Sequence, residues 1–126
     1  MSDTEIIDTH SFTSPRAKAY FADFIEDGTL DFLEDTFEYD TDDLGETSDA
    51  LIAAEIVAGM IGSPAAGLPE DVQKACSDTP KKKLLTKTRA AVRAALEDDS
   101  ALREHWQANG LEPWLGAVTD LLDRLT

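Results

Sequence analysis

Residues 48–61 read SDALIAAEIVAGMI. Leu51, Ile52, Ile56, Val57, Met60 and Ile61 stand among alanines, Gly59 and one internal charge, Glu55. The apolar positions run almost all the way round a helical wheel, where a surface helix would carry only a stripe. A helix of that kind is stable when other helices enclose it, and its alanines let them come close. The stretch therefore predicts a buried central helix. It does not predict a membrane span: the apolar run from Ala50 to Ile61 is twelve residues and contains Glu55, against roughly 20 needed to cross a bilayer.

Downstream, the breaker-rich GSPAAGL of residues 62–68 ends this helix. Pro69 opens a short helix to about Ala75 or Cys76, with Glu70 and Asp71 in its favourable first turn. Pro80 starts the next, to about Leu96. Its inner stripe is Leu84, Leu85, Thr88, Ala91, Val92, Ala95 and Leu96, and Lys82, Lys83, Lys87, Arg89 and Arg93 lie largely opposite. Ser100 caps a helix to about Asn109 and Gly110 stops it. Pro113 starts the last, with Trp114, Leu115, Val118, Leu121, Leu122 and Leu125 on one face.

Upstream, Ser14 and Pro15 have the chemistry of a helix start. Ala17, Tyr20, Phe21, Phe24 and Ile25 follow at helical spacing, and Gly28 offers a left-handed stop. A second helix is expected from about Thr29 to Glu38, with Leu30, Leu33 and Phe37 inward. Residues 38–49, EYDTDDLGETSD, hold six acids in twelve. So dense a run reads as a loop whose end caps the central helix through Thr47 or Ser48. Nothing alternates at period two for long enough to compel a strand. The expected fold is all-α: a single compact bundle of six or seven short helices around a buried central helix. Residues 14–126 form one helical domain and residues 1–13 an irregular N-terminal segment, where a short strand over 4–13 is the competing reading.

A chain of 126 residues with 42 % hydrophobic and 29 % charged side chains suits one soluble globular domain. Its net charge of −15 argues against nucleic acid, whose phosphates need Lys and Arg, and against anionic membrane surfaces. The single Cys76 removes disulfide frameworks and multi-cysteine metal clusters. Residues 1–14 lack the basic start and apolar run of a signal peptide, so a cytoplasmic location is expected. The charge is also lopsided. Residues 1–49 hold 15 acidic and two basic side chains, a balance of −13, and residues 50–126 carry the remaining −2. Solubility explains such a bias as well as a binding face does. The sharper explanation is a surface complementary to a basic partner, which speeds encounter.

Chemical motifs are sparse. Glu38, Asp40, Asp42, Leu44, Glu46 and Asp49 match the ligand spacing of a calcium loop, but Asp43 stands where the turn requires glycine. A solvated acidic loop is the better reading, and no metal is expected. Glu55 either emerges at a groove, meets a basic side chain of the 81–96 helix, or acts as a buried carboxylate of raised pKa; the structural roles outweigh the catalytic one. His10 and His105 have no ligand spacing with Cys76. Cys76 sits at the wrong end of a helix for an activated thiol. Trp106 and Trp114 read as packing residues. No phosphate loop, HExxH or GxSxG occurs.

Three segments carry a family resemblance. DALIAAEIVAGMIGSPAAGLPEDV (49–72) resembles the alanine-rich central helix and Gly-Pro loop of a bacterial domain-of-unknown-function family of small acidic helical proteins. RAAVRAALEDDSALREHWQANGLEPWLGAVTDLLDRL (89–125) is similar to that family's Trp and Leu C-terminal helices, and SFTSPRAKAYFADF (11–24) to its first amphipathic helix. The chain departs at THSFTSP (9–15), where the family carries a Trp-Gly-rich turn. The resemblance speaks for the fold, brings no catalytic residues, and implies a loose link to immunity proteins of bacterial toxin systems.

The functional expectation is a non-catalytic acidic module that occludes a basic protein, such as a nuclease-like toxin. Asp31, Glu34, Asp35, Glu38, Asp40, Asp42 and Asp43 are its partner-facing residues. No cofactor is expected. The alternative is a small helical enzyme or ligand-binding domain with a pocket around Glu55, His105 and the tryptophans. A third reading is a homodimer through leucines of the last helix.

Overall fold

The computed structural model describes residues 15–40, 42–64, 68–75, 79–97 and 99–125. The expected irregular segment 1–13, the Ser14 cap, His10 and Cys76 lie outside them. The described residues form seven helices and no strand: α1 (Pro15–Asp27), α2 (Leu30–Thr36), α3 (Leu44–Met60), α4 (Glu70–Gln73), α5 (Lys82–Ala95), α6 (Ala101–Asn109) and α7 (Leu111–Arg124).

Helix α3 is the axis of the bundle and touches each of the other six. Ala50 through Ala58 and Thr47 are all buried, as a helix without a polar face requires. The surrounding helices are amphipathic and give it one stripe each. Helix α1 buries Ala17, Tyr20, Phe21 and Phe24; α5 buries Leu84, Thr88, Ala91, Val92 and Ala95; α7 buries Trp114, Val118 and Leu121. Trp106 of α6 joins the same core.

The connections follow capping chemistry. At Gly28, φ is +69° and the amide donates to the Phe24 carbonyl at 2.7 Å, closing α1. The Ser100 hydroxyl donates to the Ala95 carbonyl at 2.7 Å and accepts the Arg103 amide at 3.0 Å. One buried side chain thus finishes α5 and starts α6. Gly110, at φ +120°, makes the α6–α7 corner. Arg103 and Arg89 donate to the Leu96 and Leu125 carbonyls at 2.6 and 2.9 Å, satisfying the C-terminal ends of α5 and α7.

Several boundaries differ from the sequence reading: α2 and α4 end earlier, at Thr36 and Gln73, α5 starts at Lys82 rather than Pro80, and the starts of α3 and α7 move upstream. Helix α3 begins at Leu44, a turn before Thr47 and Ser48. Its cap is Asp43, whose carboxylate accepts the Glu46 amide at 2.9 Å, while Glu46 Oε1 reaches back to the Asp40 amide at 3.3 Å. Asp43 thus caps the helix, while Glu46 fastens the turn before it at Asp40 and the Asp43 amide donates to the Asp40 carbonyl at 3.0 Å. Thr47 lies inside the helix, fully buried, donating to the Asp43 carbonyl at 2.8 Å. Gly45 belongs to this first turn for a steric reason: a Cβ there would stand 2.7 Å from the Arg16 guanidinium. Arg16 in turn holds Asp49 through two bonds of 2.8 and 2.9 Å. Helix α7 likewise starts at Leu111, with Pro113 in the first turn, where the missing amide has no intrahelical partner to lose.

Candidate functional site

The two sequence candidates, Glu55 and the acidic stretch, have opposite fates. Glu55 is completely shielded from solvent in the middle of α3. Arg124, from the last turn of α7, meets it fork to fork, Nη1 to Oε1 at 2.9 Å and Nη2 to Oε2 at 3.0 Å. Nη1 also donates to the Ser63 carbonyl at 3.1 Å, and Nε to Asp120 at 2.8 Å. The hydrogen bond to Glu55 is the main reason the Arg124 pKa is raised. The expected basic partner on the 81–96 helix is therefore corrected to Arg124, 69 residues away. A carboxylate engaged through both oxygens and closed to solvent is a clamp between α3, α7 and the loop at Ser63. It has no exposed face for a substrate. His105 packs edge-on against Trp106 at 5.1 Å, and both tryptophans are buried.

The calcium spacing also dissolves. Leu44 to Asp49 are helical rather than looped, and Asp49 is held by Arg16. No group of three or more metal-ligating side chains converges among the described residues.

The seven acidic residues lie on α2 and the connection into α3, and the structure sorts them. Glu34 bonds Lys87 of α5 at 2.8 Å. The hydrogen bond and charge of Lys87 hold the Glu34 carboxyl below its usual value, with Lys83 adding to the effect. Asp43 is the α3 cap, and Asp40 accepts the Asp42 amide at 2.9 Å. Asp31, Asp35, Glu38 and Asp42 are exposed, and among the described residues their carboxylates make no hydrogen bond or ion pair. The acidic run is thus part local scaffolding and part uncommitted charge.

Beside this charge lies a feature that the sequence reading did not pick out. Phe37, Glu38 and Tyr39 face Lys87, Ala90, Ala91 and Ala94 of α5 across an open groove of about 320 Å³. Phe37 and Ala91 are buried, while Glu38 and Ala90 are exposed at its rim. The Tyr39 hydroxyl donates to the Ala91 carbonyl at 2.8 Å, pinning the connection to α5. Burial pushes the Tyr39 phenol up to about 12. The signal was faint: alanines at 90, 91 and 94 look like helix filler, and Tyr39 is one aromatic in an acidic run.

Residues 6–117 match the family described as a domain of unknown function (DUF4259). No curated protein and no solved structure matches the chain. Among the described residues, no helix is long and apolar enough to cross a membrane.

Proposed function

The chain belongs to the DUF4259 family, a domain of unknown function, and from that premise we propose that it is a non-catalytic protein-binding module. Its acidic face covers a basic site on another protein in the cytoplasm. The mode of action is occlusion without turnover, as an immunity protein neutralises a nuclease-like toxin. The observation that carries this reading is the set of four exposed carboxylates, Asp31, Asp35, Glu38 and Asp42, on one short stretch of chain, which make no hydrogen bond or ion pair among the described residues. Folding draws on Glu34, Asp40 and Asp43 through hydrogen bonds; of these four, Asp35 and Glu38 act on Lys87 only through their charge. Uncommitted like charge on one surface carries self-repulsion, and a cationic partner relieves it while gaining encounter rate. A pocket enzyme centred on Glu55 lacks that kind of support, because Arg124 occupies both carboxylate oxygens.

The test is affinity capture from cells of the source with two baits, the chain itself and a variant with Asp31→Asn, Asp35→Asn, Glu38→Gln and Asp42→Asn. The expected result is a basic protein held by the first bait at low salt and lost from the second. Recovery of the same proteins by both baits would overturn the reading.

A further inference from the structure

The groove between the α2–α3 connection and α5 is apolar inside and charged at its edge. Phe37, Ala91 and Ala94 supply apolar surface, and the small side chains of α5 keep one side shallow. The Tyr39–Ala91 hydrogen bond fixes the opposite side, so the groove stands open without rearrangement, and a preformed site binds at lower cost. At about 320 Å³ it lies at the small end of the roughly 300–1,000 Å³ typical of ligand pockets. That is room for one large side chain. The charge at the edge has a sign. Lys87 is bonded to Glu34 and also feels Glu38 and Asp35, and Lys83 acts on Glu34. Of the two charged side chains that line the groove, Lys87 is already bonded to Glu34 at 2.8 Å, which leaves the exposed Glu38 carboxylate as the rim charge open to a partner, with exposed Asp35 three residues away in sequence. An apolar recess beside an open carboxylate has the anatomy of an interface hot spot, a large apolar anchor surrounded by polar contacts.

We propose that this groove seats one large apolar side chain of a basic segment on the partner protein, with the flanking Lys or Arg side chains paired to Asp35 and Glu38. This rests on the acidic-face reading and adds to it a point of anchorage and a sequence preference.

The probe is a labelled peptide with a central Trp between Arg and Lys residues, beside the same peptide with Ala for Trp, both followed by fluorescence anisotropy. The Trp peptide binds the chain, and the Ala peptide binds about tenfold more weakly or worse, a difference of roughly 1.4 kcal/mol. Filling the groove by Ala90→Leu or, separately, Ala94→Leu removes the advantage of Trp and leaves the Ala peptide unchanged. Ala90 is exposed, so its variant keeps the fold, which circular dichroism checks. Asp35→Asn with Glu38→Gln weakens both peptides and flattens their salt dependence. Equal binding of the two peptides, no binding of either, or filled variants that keep the Trp preference overturns the groove inference. In the first and third cases, the acidic-face reading survives if the Asn/Gln variant still weakens binding.

Discussion

Glu55 is charged in a place where water cannot reach it, and Arg124 is the reason the interior accepts it. Bringing two ions out of water is costly, and bidentate geometry with further bonds to Ser63 and Asp120 offsets that cost. Removing one partner is then worse than removing both. Arg124→Met is expected to lower stability by about 3–5 kcal/mol in urea unfolding, and combining it with Glu55→Leu should recover most of the loss. A single variant within about 1 kcal/mol of the native chain would show that the clamp is not what docks α7. The oddity of Glu55 was legible in the sequence, since it is the one charge in an apolar run. Its partner was not, because nothing local links position 55 to position 124. The same holds for Gly45, which reads as a loop residue until Arg16 is seen to lie against it.

The helices were readable where their ends are closed by local chemistry. Ser100, Gly28 and Gly110 act as caps or corners where their residue types predict, and the stripes of α1, α5 and α7 face α3. The start of α3 was hidden because an acidic run with a glycine has the composition of a loop, although Asp43 and Glu46 also have the spacing of a capping box. The groove escaped because it is made by two elements, neither distinctive alone. At this scale Ser100 is the sharpest test, since it serves two helices. Ser100→Ala should cost about 1–2 kcal/mol and speed amide hydrogen exchange at the start of α6. A loss of a few tenths, with unchanged exchange, would mean that packing of Trp106 and Leu102 sets that junction instead.

Across the whole molecule, titration reports on packing. Tyr39 is held up to about 12 by burial, and burial raises Tyr20 as well, against an ordinary phenol value of 10.0. A raised phenol pKa means that its stabilisation is complete below pH 10 and is lost as pH climbs toward the folded value. Phenolate absorbance of the native chain should therefore develop above pH 10, and in denaturant near 10. Coincident curves would contradict the burial of both rings. On the acid side, Glu34 has a lowered pKa, so its contribution is present above its ordinary 4.5 and fades as pH falls through the folded value. The overall charge of −15 also bears on stability. Neutralising Asp31, Asp35, Glu38 and Asp42 removes repulsion, so the fourfold variant should melt no lower than the native chain at low salt. A clear drop in its melting temperature would give these carboxylates a structural role.

Whether those four carboxylates meet a cationic surface is measured most directly by the affinity of the captured partner over a range of salt concentrations. Native chain and fourfold variant are titrated side by side. The variant is predicted to bind more weakly and with a shallower dependence on salt. Equal affinity and equal slope for the two proteins would contradict it.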